Sequence, residues 1–286
     1  MKINRLGVFP NTGKSHVMQV LGSFLKLVRK NGMEPLLPDN LAAEYDCMAF
    51  DVDDADSMKN LDAAVSLGGD GTLLQMARQI LKYAIPCFGV NMGHLGFLAE
   101  IDLQNVNKAI GRVAESNFTI ESRSLLQAEV IEDEKVINVC HALNDIVLEK
   151  GMFSKMCHLS MYINGKASGR YAADGLIIST ATGSTAYSLS AGGPLVMPEL
   201  DVSIITPVCA HSLAARALVI PSTEVIELKA VPGSEEIKLS ADGETITEVD
   251  NDTIVRITKS PFDMKIIRLT TRDYYQTWQQ KLMRNL

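Results

Sequence analysis

The run from Asp62 to Leu81, DAAVSLGGDGTLLQMARQIL, constrains this chain more than any other. An apolar stretch, Ala63 to Leu67, stops at Gly68-Gly69-Asp70-Gly71-Thr72. Leu73, Leu74, Ala77, Ile80 and Leu81 then share one face of a helix. A buried strand running straight into a helix is the unit from which helix-covered parallel sheets are built. The turn also has chemical content. Glycine lets backbone approach a ligand closely, and the first N–H groups of a helix lack partners inside it, which favours an anion such as phosphate. Gly68, Gly69, Gly71 and Thr72 are the expected phosphate contacts. Asp70 does not suit a plain phosphate cradle, because its charge opposes the ligand's. It either holds a metal that bridges to phosphate, or orients a hydroxyl that attacks one. The simpler alternative is a helix cap.

A chain of 286 residues with 47% apolar and 21% charged residues implies a globular protein, with two domains as the expectation from length. The formal net charge of −7 argues against nucleic acid as a partner, since a phosphate backbone needs a basic surface. No apolar segment near the N-terminus is long enough for a secretory signal. The uncharged stretch Gly175 to Pro198 is dense in Gly, Ser, Thr and Pro, which suits backbone lining a polar site rather than a membrane span. The five cysteines form no CxxC pair and are odd in number, as reduced thiols in the cytoplasm would be. Cys140-His141 and Cys157-His158 resemble zinc ligands only superficially. Adjacent side chains in a strand point to opposite faces and do not share one ion.

Along the chain, Asn4 to Phe9 reads as a first strand and Val17, Val20, Leu21, Phe24 and Val28 as the stripe of a first helix, with Gly32 closing it. Gly13-Lys14-Ser15 lacks the spacing of a P-loop, because Gly7 lies one residue too far back. After a further strand over Ile85 to Asn91 comes a second glycine-punctuated loop, Asn91 to Leu98. Ligands bind beyond the carboxyl ends of the strands in such sheets, which puts Asp70 and the Asn91–Gly96 loop on one rim. A polar helix, Leu103 to Glu115, reads as a link between domains. Beyond it helical spacing nearly vanishes, and short strands separated by turns such as Asn164-Gly165 point to a mainly β domain that includes Met264 to Leu269. Residues 271–286 form a helix with Tyr274, Tyr275, Trp278 and Leu282 on one face, for which the first domain is the expected dock. The expected layout is therefore an α/β domain with a parallel, Rossmann-like sheet (1–102), a mainly β domain of packed sheets (103–270), and a C-terminal helix (271–286) returning to the first domain.

Two runs in the β region carry chemistry. Asn144-Asp145 precedes a buried strand; the amide offers donors and an acceptor, and the carboxylate accepts from paired hydroxyls, although an ordinary turn has the same look. Asp174 to Pro194, DGLIISTATGSTAYSLSAGGP, takes a strand into a long loop of hydroxyls and small residues, with Tyr187 available to stack on a ring.

Gly68 to Thr72, Asn144-Asp145 and Asp174 to Pro194, in this order and spacing, resemble the NAD kinase family, as does Cys209-Ala210-His211-Ser212-Leu213 with Arg216 and Pro221. The GGDG turn alone is less specific, since phosphofructokinases and lipid kinases have similar ones. The resemblance implies transfer of the γ-phosphate of ATP to the 2′-hydroxyl of the adenosine ribose of NAD, with a divalent cation, Mg²⁺, and a homodimer or homotetramer. By position it makes Asp70 the base facing that hydroxyl and Gly71 a close backbone contact. It assigns Asn144 and Asp145 to adenosine, and completes the dinucleotide site with Asp174, Thr185, Ala186, Tyr187, Ser188, Leu189 and Ser190. Two further lining positions correspond to Lys155 and Ala172. Ala181 and Ala210 stand where proline is usual, which alters loop stiffness, and Glu244 stands where glutamine is frequent. The rival readings are a dinucleotide-binding regulator without catalysis, and a kinase for a lipid or sugar phosphate. The second would need an apolar channel or a basic cluster that the sequence does not offer.

Overall fold

The computed structural model describes residues 1–93, 96–99, 101–151, 156–231, 236–269 and 274–282. By contacts the chain divides into two compact units, Met1–Ser122 with Met264–Leu286, and Arg123–Asp263.

In the first unit, strands β1 (Arg5–Pro10), β2 (Glu34–Pro38), β3 (Met48–Phe50), β4 (Ala63–Gly68) and β5 (Cys87–Asn91) lie in the order β3-β2-β1-β4-β5. Every pairing along that order is parallel. The short β6 (Ile101–Asp102) adds to the end of β5. The helices are α1 (Ser15–Lys30), α2 (Asp39–Ala42), α3 (Ala55–Lys59), α4 (Asp70–Ile80) and α5 (Val106–Ala114). The apolar stripe of α1 packs inward through Val17, Leu21, Phe24, Leu25 and Val28. Its end is set by Gly32, whose φ of 79° turns the chain so that the Met33 N–H reaches the Val28 carbonyl at 3.3 Å. β4 is buried along its whole length, as a central strand apolar on both faces must be. The strand order reverses between β1 and β4, so a crevice opens beyond their carboxyl ends.

The second unit is antiparallel. β7 (Thr119–Glu132), which starts in the first unit, forms a hairpin with β8 (Lys135–Ala142). β9 (Asp145–Lys150), β10 (Cys157–Ile163), β11 (Lys166–Ala173), β12 (Gly175–Thr180), β13 (Val202–Val208), β14 (Leu218–Pro221), β15 (Ile226–Ala230), β16 (Ile237–Ala241), β17 (Glu244–Val249) and β18 (Ile254–Arg268) follow. Six of them form one sheet in the order β14-β13-β12-β9-β16-β17, while β11, β10, β15 and the first part of β18 form a second antiparallel set. Ile146, Leu148, Leu176 and Ile178 from the first set share a core with Leu159, Leu228, Val255 and Ile257 from the second. Asn164 and Gly165 take φ of 50° and 73°, the left-handed pair that a two-residue hairpin requires. The remaining helices are α6 (Tyr187–Ser190) and α7 (Tyr274–Leu282).

The fold class is as expected, an α/β unit with a parallel sheet, a β-rich unit and a final helix. The divisions between them fall elsewhere than 102/103 and 270/271. α5 is no linker: Ala109, Ile110 and Val113 are buried in the same core as Val28 and Phe24 of α1. Residues from Met264 belong with the first unit because Ile266, near the end of β18, pairs parallel with Cys87 of β5. At α7, the Tyr274 hydroxyl donates to Glu121 at 3.1 Å, and Arg268 pairs with the same carboxylate.

Candidate active site

Asp70 occupies the first position of α4. Gly69 precedes it as the N-cap with extended backbone and no side-chain cap, so Asp70 is not a capping residue. Its carboxylate turns instead to the segment that follows β5. The Phe97 N–H donates to Oδ2 at 2.6 Å, and the Leu98 and Ala99 N–H groups donate to Oδ1 at 3.1 and 2.8 Å. A carboxylate offers about four acceptor directions, so three are taken and the open one lies on Oδ2. Gly96 is what makes this approach possible, because a Cβ there would overlap both carboxylate oxygens. α7 braces the same place. The Lys281 ammonium donates to the Gly96 carbonyl and sits 4.3 Å from the centroid of the Phe97 ring.

The rest of this rim is built across the switch between β1 and β4. Asn11, just past β1, donates from Nδ2 to the Thr72 hydroxyl at 3.1 Å, and the Gly69 N–H faces that same oxygen at 3.4 Å. The Met92 N–H reaches the Gly68 carbonyl at 2.7 Å, and the Gly93 N–H reaches Asn91 Oδ1 at 2.8 Å. The glycines therefore divide their roles. A Cβ at Gly68 would overlap the Thr72 side chain, so this glycine serves internal packing and Thr72 braces the turn. Gly69 and Gly71 face open space, and theirs is the backbone a phosphate could approach.

In the second unit, the start of β9 and the loop after β12 are stitched together. The Thr180 hydroxyl donates to the Leu143 carbonyl at 2.7 Å, the Thr180 N–H donates to the Asn144 carbonyl at 2.9 Å, and Gly183 lies so close that a Cβ would overlap Asn144. Buried Arg123 donates to Thr182 Oγ1 at 3.1 Å and steadies the loop. This brings Asn144 and Asp145 to the segment Thr185–Ser190, where the Tyr187 N–H bonds the Asp145 carboxylate. Burial, and then the carboxylate of Asp242, push the Asp145 carboxyl up to about 7 against that hydrogen bond.

Not every expected residue joins this cluster. Ser188 is fully buried and bonds Thr206 Oγ1 at 2.9 Å, so its hydroxyl packs the loop instead of facing a ligand. Thr185, Ala186 and Leu189 are half-buried, while Tyr187 and Ser190 are exposed. Asp174 precedes β12, paired to Lys150 at 2.8 Å, and the register sets Gly175 beside Glu149 but Ser179 beside Asp145. Asp174 therefore lies at the opposite end of the β9–β12 pair from Asp145, roughly 16 Å away at about 3.3 Å per residue, and Ala172 belongs to β11, where it pairs with His158 of β10. Tyr187 links the two ends. Its phenol pKa is raised by burial first and then by Glu149, Cys209, Asp174 and Asp145. Lys155 lies outside the described residues. Among the described residues no group of three or more His, Cys, Asp or Glu could hold a metal ion.

Asn11, Gly96, Lys281 and Asp242 carry much of this geometry without standing out in the sequence. Asp242-Gly243 has the form of a turn, and Gly96 ends the loop expected on the Asp70 rim; Asn11 and Lys281 leave no local signal.

Models of two families match the chain: the ATP-NAD kinase N-terminal domain over residues 19–118, and the ATP-NAD kinase C-terminal domain over residues 143–269. The NAD kinase of Thermoanaerobacter sp. (strain X514) is 36% identical over 280 residues, covering 98% of this chain and 99% of that protein. The NAD kinase of Moorella thermoacetica is 37% identical over 98% of this chain and 89% of its own. Among solved structures, yeast NADH kinase complexed with NADH superposes with a TM-score of 0.88 at 25% identity, covering 99% of this chain and 88% of the yeast one. An NAD kinase from Archaeoglobus fulgidus in complex with ATP gives 0.75 at 26% identity, with 98% of each chain covered. With an Asp-bearing glycine turn at the switch of a parallel sheet and an Asn-Asp pair at the head of a β sandwich, the chain belongs to the NAD kinase family.

Proposed function

We propose that the chain transfers the γ-phosphate of ATP to the 2′-hydroxyl of the adenosine ribose of NAD, giving NADP. The observation that carries this reading is Asp70, held by the Phe97, Leu98 and Ala99 N–H groups with one acceptor direction left on Oδ2, beside the open backbone of Gly69 and Gly71. A hydroxyl that donates to Oδ2 is oriented for attack while the γ-phosphoryl group it attacks lies over the glycine backbone. In the reaction the 2′-oxygen forms its bond to the γ-phosphorus, and the bond from that phosphorus to the β–γ bridging oxygen breaks. ADP leaves, and the hydroxyl proton passes to Asp70 and on to water. A carboxylate is a weak base for a sugar hydroxyl. A loose transition state demands little early proton removal, so Asp70 acts by orientation first and accepts the proton late.

Asn144 and Asp145 are the adenosine-binding pair in this reading. The exposed part of the Thr185–Ser190 segment, with Tyr187 extending toward Asp174, lines the path of the dinucleotide. Mg²⁺ is the proposed metal. It characteristically binds through substrate phosphates with few protein ligands. When bound it neutralises charge on the transferring phosphate. We further propose a cytoplasmic homodimer or homotetramer. The five cysteines are free thiols, and exposed Leu213, Leu218 and Val219 at and beside the edge strand β14 suit contact with another copy. No helix among the described residues is long and apolar enough to cross a membrane.

The test is incubation with ATP, Mg²⁺ and NAD, with ADP and NADP measured separately. The expected result is one NADP per ADP. ADP release without NADP, or NAD binding without turnover, would overturn the proposal in favour of another acceptor or a regulator.

A further inference from the structure

The turn between β16 and β17 holds a carboxylate that the reaction itself does not use. Asp242 Oδ2 accepts the Leu143 N–H at 2.9 Å, and Oδ1 accepts the N–H groups of Asn144 at 2.7 Å and Asp145 at 3.1 Å. The Asp242 N–H returns to the Asp145 carbonyl at 2.9 Å and closes the loop. Three successive N–H groups aimed at one anion form a nest, here filled by the protein's own side chain. A hairpin turn needs no such grip on a neighbouring strand. Asp242 and Gly243 already satisfy the turn with φ of 48° and 77°. The same carboxylate stands beside that of Asp145, which is buried, and its charge opposes ionisation there.

We propose that Asp242 is a positioning residue for dinucleotide binding: it fixes the backbone that presents Asn144 and Asp145, and it sets the charge environment of Asp145. This rests on the reading of Asn144 and Asp145 as the adenosine-binding pair. Asp242 thus governs how tightly NAD is held and leaves the transfer step, which belongs to Asp70, nearly untouched. The titratable groups that face Asp145 are Asp242 from the β16–β17 turn and the Tyr187 phenol from α6.

Asp242→Ala and Asp242→Asn are compared with the parent protein in steady-state assays from pH 5.5 to 8.5, with thermal unfolding as the check on folding. In Asp242→Ala the KM for NAD should rise at least about tenfold while kcat and the KM for ATP stay within about threefold. Asp242→Asn keeps much of the shape but removes a charge, so the midpoint of the pH dependence of the KM for NAD should move down by about one unit. A merely structural role would not move that midpoint. A folded Asp242→Ala protein with an unchanged KM for NAD overturns the proposal, and so does an Asp242→Asn profile with its midpoint unmoved. If Asp242→Ala does not fold, the Asp242→Asn profile decides alone. A parent protein that makes no NADP sinks the kinase reading instead. Calorimetric titration with NAD then decides the role of Asp242: a tenfold loss of affinity on substitution supports it, and equal affinities overturn it.

Discussion

Each of the two units contains a carboxylate that collects three successive backbone N–H groups, and the two use that device differently. In the first unit the gripped carboxylate, Asp70, is itself the proposed reacting group, and the N–H groups of Phe97 to Ala99 hold it. In the second, Asp242 does the gripping, and what it holds is the strand end that presents Asn144 and Asp145. Chemistry and shape are fused at Asp70 but separated at Asp145. Substitution at Asp70 disturbs both at once, whereas in the second unit one can be changed without the other.

The largest effect that would break this comparison is at Asp70 itself. Asp70→Asn should lower kcat by about 10² to 10⁴-fold with NAD still bound, the range typical of a positioned acid–base group. Near-normal turnover in the purified variant would remove Asp70 from the chemistry. Next comes Gly96→Ala, which keeps Asp70 itself but puts a methyl group where its carboxylate oxygens lie and so displaces them. A displacement of about 1 Å at a reacting group costs on the order of 10²-fold in rate, so kcat should fall by about that much with little change in the KM for NAD. Full activity there would show that Asp70 works without its N–H clamp.

Asp145 gives a test in stability. Its carboxyl is raised from the usual 3.8 to about 7, so its contribution is fully present below about pH 4 and lost as pH rises through 7. Asp145→Asn removes that loss. Relative to the parent protein it should therefore gain stability between pH 5 and pH 8, by on the order of a few kcal/mol, read as a growing difference in Tm. A difference constant with pH would mean that Asp145 is not perturbed. The smallest effect is at Ser188, whose hydroxyl bonds Thr206 of β13. Ser188→Ala should cost roughly 1 to 2 kcal/mol in unfolding experiments with an unchanged KM for NAD. A raised KM would return Ser188 to the ligand-facing surface.

The strand–turn–helix at Ala63 to Ile80 was legible because every local signal agrees: a fully apolar strand, glycine at the junction and helical spacing after it. The same holds for Asn164-Gly165, where only one kind of hairpin turn fits. Other features were hidden because they depend on partners distant in sequence. α5 looks polar in one dimension, yet Ala109, Ile110 and Val113 make a buried stripe once α1 lies against them. Met264 to Leu269 has the alternation of any strand, and nothing local says that its partner is β5. In the hydroxyl-rich run, composition suggests ligand contacts throughout, but Ser184 spends its hydroxyl inside the loop, on the Val196 carbonyl, and Ser188 spends its hydroxyl on Thr206 of β13. A serine's exposure is decided by the packing around it, which residue type does not encode. Register likewise separates Asp174 from Asp145, although both fall in segments that read as one site.

The pairing of Ile266 with Cys87 has a consequence for how the protein is made. The second unit is one continuous segment and has all its strands once Asp263 has emerged from the ribosome. The first unit, begun earlier, must wait, with the flank of β5 that Ile266 later covers open until the chain beyond Asp263 is synthesised. That interval leaves unpaired backbone on an apolar strand, the kind of surface that invites mispairing between nascent chains. The order of completion is thus the reverse of the order of starting: the unit that starts first is completed last.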